Sequence, residues 1–169
     1  MKLLLFIIVF CSLASCSVEV NKEQKIETYY NNGQVEQSGF IKDGKKDGEA
    51  NLFYPNGKLK QKGNWVNGKQ EGEWYFYNED GSLNAIVNFK NDNQDGLSTF
   101  YFSNGNIERT INMSNGLPEG ITKSYFSNGK LKETQTFVNG KRNGEVVIYD
   151  SLTNTTRTCN YKDDQLISP

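Results

Sequence analysis

Residues 53–72 read FYPNGKLKQKGNWVNGKQEG, and the chain repeats this plan four more times. Phe53 opens the segment and Asn56-Gly57 makes a turn. The strand after that turn has an aliphatic residue early, Leu59, and a large apolar one late, Trp65. Asn67-Gly68 makes a second turn, and Gly72 closes the unit. Segments 29–48, 77–96, 101–120 and 125–144 share the plan. Turn glycines Gly33, Gly57, Gly81, Gly105 and Gly129 fall every 24 residues, as do the closing glycines Gly48, Gly72, Gly96, Gly120 and Gly144. A fixed period of this length specifies a repeat architecture, in which each unit buries its apolar side only against its neighbours.

Two turns per copy mean two antiparallel strands per copy. Asn-Gly and Asp-Gly between apolar-alternating stretches are strong hairpin signals, because both residues accept positive φ. Five copies and a decaying sixth, with Thr153, Asp164 and Ser168 at the three glycine positions, predict ten to twelve strands. The fold class is all-β: an elongated single antiparallel meander sheet, about 50 Å long at roughly 4.8 Å per strand. If the first turn is a two-residue loop, Tyr54 faces Leu59, Phe102 faces Ile107 and Phe126 faces Leu131. That apolar face then also takes Leu52, Trp74, Phe76, Phe100 and the column Ile41, Trp65, Phe89, Met113, Phe137, Tyr161. The other face takes Glu36, Lys60, Lys62, Glu108, Lys132 and a ring column: Tyr29, Phe53, Tyr77, Tyr101, Tyr125 and Tyr149. Those rings either cover neighbouring strands or form a stacking ladder for a sugar or peptide. The second turn is expected to be the longer one, as in Asp43–Gly48, with Asp92 in a glycine's place in the third copy.

The composition removes several function classes. The chain has 169 residues, a formal charge of −1 and no histidine. Nucleic-acid binding needs a basic face that this balance does not supply. Ser-His-Asp and Cys-His catalysis are ruled out, and the commonest metal ligand is missing. A carboxylate pair for glycoside hydrolysis stays open, but the acids recur at equivalent positions, as Asp43, Asp47, Glu71 and Glu119 do in turns, which suits structure better than a single active site. The expectation is a binding protein, not an enzyme, without cofactor or metal.

The N-terminus is a targeting segment. Leu3–Cys11 is an apolar run too short to span a membrane and suited to a signal-peptide core. Leu13-Ala14-Ser15-Cys16 comes next and resembles a bacterial lipobox. That resemblance implies cleavage between Ser15 and Cys16, diacylglycerol on the Cys16 sulfur and a place in the bacterial cell envelope, lipid-anchored to the membrane. The expected domains are a signal peptide over 1–15, a lipidated tether over 16–26 and a repeat domain over 27–169. With Lys2 removed, the mature side chains sum to 18 minus 20, or −2. Cys11 leaves with the signal peptide and Cys16 carries lipid. Cys159 is then left without a partner for an intrachain disulfide, and reads as a small apolar filler.

The Tyr-x-Asn-Gly and Asn-Gly-Lys-x-x-Gly-Glu patterns at this period resemble MORN repeats, specifically the bacterial variant group of YwqK-type, antitoxin-like proteins. The resemblance covers Tyr29 to about Tyr161. It departs from the better-known pattern, which carries Gly-x-Gly near the repeat end, where this chain has Gly-Glu-x-x-x-Tyr. It implies an elongated sheet with a binding role and transfers no catalytic residue. Three roles are expected from it: an interaction module for a protein or envelope polymer, an immunity protein that blocks a toxin, and a carbohydrate-binding adhesin using the ring column. Specificity is expected in positions that differ between copies, such as Asn51, Tyr75, Thr99, Lys123 and Val147, so Tyr75 and Lys123 join the ring column as candidate ligand residues.

Overall fold

The computed structural model describes residues 23–153 and 155–168. The signal peptide, Ser15 and Cys16 lie outside these described residues. Sixteen strands form one antiparallel sheet: β1 (Gln24–Tyr29), β2 (Val35–Lys42), β3 (Lys45–Lys46), β4 (Gly48–Phe53), β5 (Leu59–Val66), β6 (Lys69–Tyr77), β7 (Leu83–Lys90), β8 (Asn93–Gln94), β9 (Gly96–Tyr101), β10 (Ile107–Ser114), β11 (Leu117–Pro118), β12 (Gly120–Tyr125), β13 (Leu131–Val138), β14 (Lys141–Tyr149), β15 (Thr156–Lys162) and β16 (Gln165–Ser168). The long strands pair strictly in sequence order, and β3, β8 and β11 are two-residue stubs paired to β2, β7 and β10. The count exceeds the expected ten to twelve because the backbone breaks just before a closing glycine in three copies, which adds the stubs β3, β8 and β11, and because β16 makes a thirteenth long strand. The first strand starts at Gln24, inside the stretch assigned to the tether.

The turn lengths are the reverse of the sequence expectation. At the first turn, the Tyr54 N–H donates to the Lys58 carbonyl (2.8 Å) and the Gly57 N–H to the Tyr54 carbonyl (2.9 Å). The loop is therefore three residues, Pro55-Asn56-Gly57, with Gly57 left-handed at φ 79°, the pattern of a type I turn and then a left-handed residue. The second turn is the two-residue loop. Ile41 pairs with Lys46 and Lys42 with Lys45, and both Asp43 and Gly44 have positive φ, as a type I′ turn requires. Asp92, in a glycine's place, does the same at φ 70°.

The extra loop residue shifts the register by one. Phe53 pairs with Leu59, Tyr77 with Leu83, Tyr101 with Ile107 and Tyr125 with Leu131. The expected pairs Tyr54–Leu59, Phe102–Ile107 and Phe126–Leu131 do not form. A bulge at Lys60, and at its equivalents, then restores the alternation, so Leu52 pairs with Gln61. Trp74, Phe76, Trp65 and Phe89 stay together on what we call the indole face. The aliphatics Leu59, Leu83, Ile107 and Leu131 move to the opposite, tyrosine face beside the ring column.

The core is one row of residues running across the strands on the indole face. Ile26 pairs with Gly39, Ala50 with Gly63, Trp74 with Val87, Ser98 with Ile111, Thr122 with Gln135, and Val146 with Cys159. Of the buried residues among those described, only Ala85 lies off this row; Gly39, Ala50, Trp74, Val87, Ser98, Thr122 and Val146 are on it. An open single sheet is dry only along its midline, where neighbouring side chains shield one another from water on both sides. Cys159 sits in this row at intermediate exposure, the position of a small filler.

Both margins of the sheet are stitched between copies. At the first-turn margin, Asn56 Oδ1 accepts the Lys58 N–H while Asn56 Nδ2 donates to the Glu79 carbonyl of the next copy (3.1 Å). Asn32 and Asn104 repeat both bonds. The Tyr30 and Tyr54 hydroxyls donate to the carbonyls of Phe53 and Tyr77, one copy on. At the second-turn margin, the acids before the closing glycines, Asp47, Glu71, Asp95 and Glu119, accept the N–H of Asn67, Asn91, Asn115 and Asn139. A buried, half-satisfied turn backbone would be costly; here each copy satisfies the turn of the next.

Candidate interaction surface

The recurring glycines, asparagines and acids are accounted for by turn geometry. What remains on the tyrosine face is the ring column, the variable column and a third column after the closing glycines. Tyr29 is 56% exposed, while Phe53, Tyr77, Tyr101, Tyr125 and Tyr149 are half-buried. Each ring from Tyr29 to Tyr125 has an aliphatic cross-strand partner, Val35 through Leu131. Cross-strand aromatic–aliphatic pairs stabilise a sheet, so these rings serve packing first. The last ring, Tyr149, pairs with Thr156 instead.

The variable column lies on the same face: Asn51 pairs with Lys62, Tyr75 with Ile86, Thr99 with Thr110, Lys123 with Thr134 and Val147 with Thr158. The Tyr75 hydroxyl donates to Glu73 (2.5 Å), two residues along the same strand. That bond and the Glu73 charge hold the phenol above its ordinary value. The Lys62 ammonium lies 4.8 Å over the Tyr75 ring. Lys60 and Lys132, expected on this face, instead lean over the rings of Tyr54 and Phe126 at 5.6 and 5.9 Å.

The third column was not singled out in the sequence. It reads Glu49, Glu73, Leu97, Ile121, Glu145. Each residue pairs with a polar partner: Asn64, Asn88, Asn112, Thr136 and Asn160. The two aliphatics in the middle are 55% and 58% exposed. The signal was legible, because two of five Gly-Glu steps become Gly96-Leu97 and Gly120-Ile121.

On the indole face, Trp65 and Trp74 meet edge to face at 5.4 Å, and Phe89 lies 6.2 Å from Trp74. Lys46, Arg109 and Arg142 place their cationic groups 4.5, 4.5 and 4.4 Å over Trp65, Phe100 and Tyr161. Among the described residues, no cluster of three or more histidines, cysteines or carboxylates could hold a metal ion. No helix there is long and apolar enough to cross a membrane.

Comparison with known proteins agrees with this architecture. No curated protein matches the chain. Among solved structures, the chain is similar to one in a crystal structure of the GtfA/B complex bound to UDP and GlcNAc, at 11% identity and a TM-score of 0.24. That overlap takes in 80% of this chain and only 24% of the other, and it is too loose to carry an argument. Residues 46–67, 70–91, 94–115 and 118–139 each match the MORN repeat variant. These four segments run from one second turn to the next and span just over half of the chain, and with the strand-and-turn register they show that it belongs to the MORN repeat variant family.

Proposed function

We propose that the protein is a lipid-anchored interaction module of a bacterial envelope, held to the membrane through Cys16 and binding a partner protein on its tyrosine face. It acts by binding, without turning over a substrate. The observation that carries the reading is the pair Leu97 and Ile121. Three copies place a glutamate at this position and two place an exposed aliphatic. The column makes no contribution to the turns or the row, so the exchange is not needed for the fold. Large apolar side chains exposed on a face with aromatic residues mark an interaction site. Repeat sheets present such extended surfaces.

The test restores the repeat pattern. Leu97→Glu with Ile121→Glu should leave stability within about 0.5 kcal/mol, as surface substitutions do. It should abolish capture of the partner by the lipidated protein from envelope extract. Tyr75→Ser and Lys123→Ser should each weaken capture by about 1–2 kcal/mol if they border the same contact. Undiminished capture by the double glutamate variant would overturn the choice of face. Hydrolysis of peptidoglycan, glycan or peptide, lost on changing one carboxylate, would overturn the binding-only reading.

A further inference from the structure

The indole face contains a hollow of about 200 Å³ in its first two copies. The row explains why it is there. Across β2, β4 and β5 the row carries Gly39, Ala50 and Gly63, where later copies carry Val87, Ser98 and Ile111. The Trp74 ring drops into the space above Gly63, so close that a Cβ there would lie 2.2 Å from the indole. No ring lies as close above Gly39; a Cβ there would meet the Glu49 carbonyl and the Ala50 methyl at 3.5 and 3.6 Å. Ile26, Leu52, Trp65 and Trp74 wall the space, and Lys46 stands at its side with its ammonium over Trp65.

We propose that this hollow is a second binding site, distinct from the tyrosine face, that seats one large apolar side chain of an acidic peptide segment. The volume is below the roughly 300–1,000 Å³ of small-molecule pockets and suits a single side chain. Aromatic and aliphatic side chains make most of the wall, with Gln37, Ser38 and Gln61 also lining it, a balance that favours an apolar group over a hydroxyl-rich sugar. Among the described residues that line it, Lys46 is the only charged one and none is a carboxylate. A carboxylate flanking the inserted side chain supplies the missing counter-charge. An ammonium over an indole holds its place by about 0.5–1 kcal/mol at an exposed site, little enough for it to swing to a carboxylate.

The two tryptophans give a direct readout, since full-length protein in detergent micelles has two indole N–H resonances. The probe is N-acetyl-Glu-Phe-Glu-amide, with the Gln-Phe-Gln peptide and tetragalacturonate as comparisons. The expected result is saturable movement of both indole signals with the acidic peptide, at least fivefold weaker with the Gln-Phe-Gln peptide or in Lys46→Glu. Ala50→Leu, which fills the hollow, should remove it while the amide spectrum stays folded. Gly39→Ala gives a second, milder filling and should weaken it. No movement at millimolar peptide overturns the proposal. So does equal movement in Ala50→Leu, or movement with tetragalacturonate alone. None of these outcomes bears on capture through Leu97 and Ile121.

Discussion

Gly39 and Gly63 occupy the same position in successive copies, yet alanine at each should have opposite effects. Neither glycine has positive φ, so alanine brings no backbone strain at either. At Gly63 the new Cβ would lie 2.2, 2.4 and 2.6 Å from three atoms of the Trp74 indole. That ring is 1% exposed and packed against Trp65 and Phe89, so it cannot step aside freely. Overpacking of this kind costs about 1–3 kcal/mol. At Gly39 the contacts are ordinary van der Waals distances. The loss of unfolded-state freedom then stabilises by about 0.4–1 kcal/mol. The unfolded-state gain is common to both variants, so they should differ by the overpacking cost, about 1–3 kcal/mol, or several degrees in Tm. Urea and thermal unfolding of the full-length protein in detergent measure it. Trp74→Leu in the Gly63→Ala background should recover part of the loss as a coupling term in a double-mutant cycle. Equal stabilities for Gly39→Ala and Gly63→Ala would refute the claim that one row of side chains is the core.

The margins make their own predictions. Asn56→Asp keeps the turn acceptor but loses the Nδ2 bond to the Glu79 carbonyl, and should cost about 0.5–1.5 kcal/mol by urea unfolding. Asp80→Asn supplies that donor in the copy that lacks it, and should be neutral or stabilising unless the stitch is energetically empty. Hydrogen bonds from Ser82 to Asp80, from Thr153 and Leu152 to Asp150 and from Arg142 to Asp164 hold these carboxyls below their ordinary value of 3.8. Their contribution is fully present well above that value and is lost as pH falls through it toward the lowered folded values, so an acid titration should show unfolding midpoints falling progressively from about pH 5 downward. A titration that is flat over that range would mean the caps are the same in the unfolded chain. Cys16→Ala should leave the precursor unprocessed or release the protein from membranes; normal processing and unchanged fractionation would end the lipoprotein reading.

The period, the two-turn unit and the single sheet were legible because glycine and asparagine positions report backbone conformation directly. The register was not. Pro55-Asn56-Gly57 and Asp43-Gly44 both contain a good hairpin dipeptide, and which one is a two-residue loop depends on whether one residue or both are left-handed. That choice moved Leu59, Leu83, Ile107 and Leu131 to the other face, and turned an expected polar face into one with an apolar stripe. The Lys60 bulge hid the consequence, because it returned Trp65 and Phe89 to the expected side. Leu97 and Ile121 were missed for a different reason. Recurring residues mark the scaffold, and these two matter because they depart from Glu49, Glu73 and Glu145.

The same contrast separates scaffold from surface in the core row. A repeat sheet tolerates a missing side chain when a neighbour in the row is large enough to cover the gap, as Trp74 covers Gly63. Packing is then preserved even though the copies differ. Gly39 has no ring so close above it, and Ile26, its partner, belongs to the sheet's first strand. An uncovered gap forfeits dispersion contacts on its lining atoms, and a single larger residue at position 50 would fill it. The occupant proposed for the hollow would supply those contacts from outside the chain.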